Sequence, residues 1–159
     1  MKKNVLIIIG LVIIDQIIKI AICNTIGVSG ETITIIPNVL MLSYVKNMGA
    51  AWGILNARLF LICVDIMIIY AILKLMLNKK YQFEKNAILG MSLILAGGFA
   101  NLIDRIVRGY VIDYIDITKL FNYPVFNFAD ICIVIGVILV FIIIIINTIK
   151  SQESINEKV

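Results

Sequence analysis

The chain has 159 residues, 62% hydrophobic and 15% charged, with a net charge of +4 and no histidine. A soluble domain is roughly 45–50% apolar and about 25% charged, so these proportions exclude one and indicate a membrane protein. Without histidine neither a Ser-His-Asp nor a Cys-His arrangement can be built. No basic patch with interleaved aromatics marks a nucleic-acid surface, and the positive charge suits anionic lipid instead.

Apolar runs at residues 4–23, 59–77, 87–103 and 128–149 predict four transmembrane helices, each close to the about 20 residues that span about 30 Å of hydrocarbon. Little chain is left for a second unit, so residues 1–159 are expected to form one integral-membrane domain. The first run, in MKKNVLIIIGLVIIDQIIKIAIC, resembles a secretory signal because Lys2 and Lys3 precede it and Cys23 follows. Asp15 and Lys19 interrupt that run, and Ile22 stands where processing enzymes want a small side chain, so a retained first span is expected. Asp15 and Lys19 lie four residues apart, on one helix face and about 6 Å apart along the axis. A charge at this depth must be paired or face a polar interior. The pair either orients the span structurally or takes part in chemistry.

After the first span, ETITIIPNVLMLSYVKNMGAAWG partly alternates around a Pro37-Asn38 turn. It predicts a small β-hairpin or cradle outside the membrane, since strand edges exposed to lipid would leave backbone groups unpaired. In the second span Asp65 and Lys74 are nine residues apart, which is no same-face spacing. Both read as boundary charges, with Lys74 snorkelling. The loop NKKYQFEKN carries Lys79, Lys80 and Lys85, and with Lys2, Lys3, Lys150 and Lys158 it marks one side of the membrane as cytoplasmic. Both termini then lie in the cytoplasm. Lys46, Arg58, Arg105, Arg108 and Lys119 fall on the opposite side.

The third span ends in Gly97, Gly98, Asn101, Asp104, Arg105 and Arg108 within three turns. The glycines allow a neighbouring helix to approach. Asp104 and Arg108 form a second pair at four-residue spacing; the group either forms a purely structural polar seam or, through Asn101 with Arg105, suits holding a carboxylate or peptide carbonyl in a dry pocket. Residues 105–127 contain Tyr110, Tyr114, Phe121, Tyr123 and Phe126, with Phe128 directly after, which predicts an aromatic loop at the headgroup boundary between the third and fourth helices. Asp113 in VIDY and Asp130 in FNFAD bracket this loop. Two carboxylates sharing a proton can run hydrolysis, and paired acids also bind cations. Cys23, Cys63 and Cys132 have no paired spacing, so neither a Cys/His metal site nor a disulfide framework is expected.

DQIIK at 15–19, NMGAAWG at 47–53, GGFANLIDR at 97–105, VIDY at 111–114 and PVFNFAD at 124–130 stand in the order found in the bacterial signal peptidase II family, which the chain closely resembles over nearly its whole length. Each motif alone is weak, but five in order between four spans are specific. The resemblance implies an aspartic endopeptidase of the cytoplasmic membrane with Asp113 and Asp130 as its dyad, near the extracytoplasmic face. It also implies supporting positions at Asp15, Lys19, Asn47, Gly49, Gly97, Asn101, Asp104, Arg105, Phe126, Asn127 and Ala129. The substrate class it implies is a prolipoprotein with a diacylglyceryl-modified Cys, cut just before that Cys, with no metal or organic cofactor. The amides of Asn47, Asn101 and Asn127 suit holding peptide backbone or dyad oxygens, and Trp52 with the loop aromatics suits covering the site.

Ala100 stands where the family often has Gly, and VIDY and GAAWG vary conservatively on VVDF and GAAF. Asp116 falls outside the dyad positions and reads as a solvated loop charge. Arg108-Gly109 followed by Asp113 and Asp116 faintly resembles the metal-binding CDP-alcohol phosphotransferases, whose preceding signature elements are missing here. A small transporter or assembly protein is a further alternative, though no inverted repeat or broken helix supports it. Nothing calls for an oligomer, and a monomer is expected.

Overall fold

A computed structural model describes residues 2–49, 57–78, 80–81 and 83–156. Trp52, expected over the site, and Lys79 and Lys158, used to orient the chain, lie outside the described residues. In chain order the elements are α1 (Lys2–Asn24), the single turn α2 (Ile26–Ser29), β1 (Ile33–Ile36), β2 (Leu40–Asn47), α3 (Ala57–Leu77), α4 (Lys85–Val107), β3 (Val111–Asp116) and α5 (Phe128–Asn156).

Among the described residues four helices are long and apolar enough to cross a membrane, and they contain the four predicted runs. Helices α4 and α5 run past those runs, because backbone hydrogen bonding continues where hydropathy stops. The extra turn of α4 keeps Asp104 and Arg105 helical. Helix α4 is the central one, and its covered residues are mostly small: Ala87, Gly90, Ser92, Ala96, Gly97 and Ala100. Lipid gives apolar side chains no reason to leave it, so membrane helices associate through close backbone approach and polar contacts. A Cβ on Gly90 would lie 2.9 Å from the Gly136 carbonyl oxygen, and one on Gly136 would lie 2.5 Å from that of Gly90. Gly97 likewise leaves no room for a Cβ against the Ala129 carbonyl. Gly98, by contrast, makes only ordinary contact with Ile69 of α3. Ile13, Met67, Phe141 and their neighbours on α1, α3 and α5 face outward.

At one end of the bundle the strands form an antiparallel sheet in the order β1-β2-β3. The expected hairpin is β1 and β2, turning at Pro37-Asn38 with Asn38 at φ 60°. The sheet gains a third strand, β3, from within the segment expected as an aromatic loop between the third and fourth helices. Residues of β3 pair with β2 in the register Val45↔Asp113, Lys46↔Ile112 and Asn47↔Val111. The later part of the segment folds back, with Phe126 bridged to Ile115 and stacked edge-on against Tyr123. Beneath the sheet, Ile112 and Tyr114 pack on Ile22 and Ile26, with Leu42, Tyr44, Tyr110 and Phe128 around them. This small core fixes the sheet to the end of α1.

Candidate active site

Asn127 and Phe128 mark where the chain enters α5, and the local sequence dictates how. Asn127 precedes the first helical residue, and its Oδ1 accepts from the Asp130 amide at 3.0 Å. In return Asp130 Oδ2 accepts from the Asn127 amide at 3.1 Å. This is a reciprocal capping box, which satisfies two otherwise orphaned N–H groups. The cap sets Asp130 at the positive end of the α5 dipole.

The same Asn127 side chain reaches across to β3, where its Nδ2 donates to Asp113 Oδ1 at 2.6 Å. Asn47, exposed at the end of β2, donates to Asp113 Oδ2 at 2.8 Å. Asn101 of α4 donates to Asp130 Oδ1 at 2.8 Å and accepts from Asn127 Nδ2 at 3.3 Å. Both carboxylates therefore belong to one network of three neutral amides, fed by four elements. Burial pushes the Asp113 carboxyl up to about 6; the Asn47 amide opposes this, and the charge of Asp130 adds to it. Hydrogen bonds from Thr118 hold Asp116 below the ordinary carboxylate range. Asp116 also corrects its reading as a solvated loop charge: it closes β3, is largely covered, and accepts from Thr118 N and Oγ1 at 2.9 and 2.7 Å.

Behind the amides lies a buried ion cluster. Lys19, with no exposed surface, contacts Asp15 and Asp104 at 2.9 Å each and donates to Asn101 Oδ1 at 3.0 Å. Asp15 in turn accepts from the Ala129 amide at 3.0 Å, which ties α1 to the first turn of α5. The Asp15–Lys19 spacing thus produces a direct pair that also reaches the site through Asn101. Gly49, at φ 71°, donates its amide to Asn47 Oδ1 at 2.9 Å. Phe126 takes part through its backbone, exchanging hydrogen bonds with Ile115 at 2.8 and 3.1 Å.

Arg105 is the exception among the expected positions. It does not join Asn101 at the carboxylates; its guanidinium pairs with Asp65 of α3 at 2.8 Å. Asp65 is accordingly no mere boundary charge but the half-buried fastening between α3 and α4. Three contributors escaped the sequence reading. Gln16 donates to the Ala100 carbonyl and to Asp104 at 3.2 and 3.1 Å. Arg58 caps α4 through the carbonyls of Arg105 and Ile106 at 2.9 and 3.1 Å. Tyr114 accepts from the Phe128 amide at 3.2 Å. An amide inside an apolar run was the available signal for Gln16; Arg58 and Tyr114 carried none.

A cavity of about 570 Å³ opens beside Asp130, lined by Ile117, Phe121, Tyr123, Phe126 and Ile131. A larger one of about 720 Å³ lies at the far end of the bundle against Leu75, Phe83 and Ile143, away from both carboxylates. Of the two, the smaller cavity is the one that Asp130 lines. Among the described residues no three Cys, Asp or Glu side chains are grouped to hold a metal ion.

The Asp113 environment has a measurable consequence. Its carboxyl should titrate near pH 6 in carbon-13 NMR, and Asp130→Asn should move that titration to lower pH by removing the like charge. Because the folded value is raised, protonated Asp113 stabilises the fold below the unfolded value, and this contribution is lost as pH rises through about 6. An unchanged titration in the variant would show that the two groups do not interact.

A family model described as signal peptidase (SPase) II matches residues 7–146. A lipoprotein signal peptidase from Staphylococcus aureus is 37% identical over 153 residues, covering 94% of this chain and 92% of the relative. One from Lactiplantibacillus plantarum is 40% identical over 137 residues, covering 84% and 88%. A bacterial membrane enzyme solved by the in meso method at 1.9 Å superposes with TM-score 0.83 at 34% identity, covering 91% of this chain and 93% of that one. The phosphotransferase and transporter alternatives find no support in these relatives.

Proposed function

The chain belongs to the signal peptidase II family, and from that premise we propose that it is an aspartic endopeptidase whose dyad is Asp113 and Asp130. As a multi-pass bacterial membrane protein of this family it removes signal peptides from prolipoproteins. The observation that carries the aspartic reading is the shared amide network: Asn127 touches Asp113 through its side chain and caps the helix turn that presents Asp130.

One carboxylate, ionised, takes a proton from a water molecule as that water attacks the scissile carbonyl carbon; the other, protonated, donates to the carbonyl oxygen. The tetrahedral intermediate then collapses. The C–N bond breaks, the first carboxyl returns its proton to the leaving amine, and the oxygen's proton goes back to the second. Asn47, Asn101 and Asn127 hold the four carboxylate oxygens through neutral donors, so neither acid is locked into the ionised state by a direct cation. Asp15, Lys19, Asp104, Gly49, Gly97, Phe126 and Ala129 brace the elements that carry them. Arg105 acts at one remove, by fastening α3 to α4.

The substrate is a prolipoprotein whose Cys bears a diacylglyceryl group, cut on the amino side of that Cys. The sheet end of the bundle faces the extracytoplasmic side, both termini lie in the cytoplasm, and residues 1–159 act as one peptidase domain. In this reading the peptidase is a monomer that works without a metal or organic cofactor. The apolar cavity beside Asp130 suits acyl chains or an apolar signal segment.

With the diacylglyceryl group present, cleavage of a model prolipoprotein in micelles should exceed that of the unlipidated precursor on the order of 100-fold in kcat/KM, because binding energy remote from the reacting bond is available to the transition state. Equal cleavage of the two would contradict the substrate assignment.

A further inference from the structure

We propose that Arg108 and Gln16 are positioning residues for the dyad, acting through Asp104 on the backbone beside Asp113. Asp104 has no exposed surface and uses both oxygens. Its Oδ2 accepts from Lys19 and, at 3.2 Å, from the amide of Ile112, the residue before Asp113. Its Oδ1 accepts from Gln16 at 3.1 Å and pairs with Arg108. Gln16 is itself clamped: its Oε1 accepts from Arg108 at 2.8 Å while its Nε2 reaches the Ala100 carbonyl. The side of Asp104 away from Lys19 is thus set by a residue from α1 and one from the end of α4. Through Asp104 these two residues fix the entry of β3 at the position preceding a dyad acid.

Charge points the same way. Asp15 and Asp104 are balanced by Lys19 and Arg108, so the buried cluster behind the dyad is neutral only while Arg108 is present. No other cation on the surrounding elements is placed to replace it among the described residues. Arg105 of α4 is committed to Asp65 of α3, and Arg58 to the α4 carbonyls. Lys46 of β2 lies over the rings of Tyr44 and Tyr110 at 6.0 and 5.3 Å. Tyr114 of β3 is bound to the α5 amide, and α5 contributes Asp130 itself. Loss of the Arg108 charge leaves one uncompensated negative charge behind the dyad. That charge favours its protonated forms and moves both limbs of the pH–rate profile upward.

Resting as it does on the dyad reading, this role is tested with Asp113→Asn and Asp130→Asn run alongside. The rate of cleavage of a diacylglyceryl-modified prolipoprotein is measured against pH for the parent and for Arg108→Gln, Arg108→Lys and Gln16→Leu. Arg108→Gln should lower kcat about tenfold with little change in KM, and should shift the profile up by about half a unit to one unit. Arg108→Lys should keep the parent profile, and Gln16→Leu should lower kcat without moving it. If the dyad variants are inactive and the Arg108→Gln profile coincides with the parent's, this role is wrong and the dyad stands. If either dyad variant turns over normally, the dyad reading itself fails. Should Arg108→Gln not fold, Gln16→Glu places the extra negative charge beside Asp104 with Arg108 retained, and an unshifted profile there overturns the role equally.

Discussion

Asparagine at position 113 or at position 130 is expected to lower turnover of lipidated prolipoprotein by on the order of 10³-fold or more, with KM little changed, since neither amide can carry the proton between water and substrate. The two variants should differ in stability. Asp113 accepts one amide hydrogen bond at each oxygen, so an asparagine there must turn an NH₂ group toward Asn47 or Asn127 and lose one of them. Asp130→Asn loses one of the contacts to Asn101 and the Asn127 amide, and the latter is half of the α5 capping box. Each loss should cost about 1–3 kcal/mol, visible as a lowered unfolding temperature in micelles while the helical circular dichroism persists. A folded variant with turnover within about tenfold of the parent would remove that aspartate from the dyad.

The second large effect falls on Lys19. Lys19→Met removes the one cation among the described residues that touches both Asp15 and Asp104, all three side chains being covered. An unpaired buried charge is strongly destabilising, by about 3–5 kcal/mol when one partner of a buried pair is deleted. Asp104 keeps Arg108 and Gln16, so the deficit is greatest at Asp15, which also holds the Ala129 amide. The variant should unfold at a lower temperature and lose activity, because Asn101 is freed at the same stroke. Adding Asp15→Asn should restore part of the stability by removing the uncompensated charge. Unfolding of Lys19→Met at the parent temperature would show that the cluster contributes little to the fold.

Much of this architecture was written in local spacing. The four spans follow from hydropathy, because lipid admits backbone only when it is hydrogen-bonded within its own segment. The Asp15–Lys19 and Asp104–Arg108 pairs follow from the four-residue helix step, and the first hairpin from its alternation around Pro37-Asn38. The motif order was enough to point to the family. Strand β3 was hidden for a physical reason: Val111, Ile112, Asp113 and Tyr114 are all covered, so no polar-apolar alternation marks a wet face. The Arg105–Asp65 pair was beyond local spacing, because the two residues are forty apart on helices whose relative placement no spacing reveals. Local sequence could suggest that Asn127 caps a helix; only the fold of β3 against α5 gives its remaining N–H to Asp113. The sequence by itself determined which segments cross the membrane, since that depends on transfer of each segment into lipid. Which polar groups meet between the segments was decided by the tertiary structure, because a buried charge or amide takes its partner from whatever the packing of other elements brings within about 3 Å.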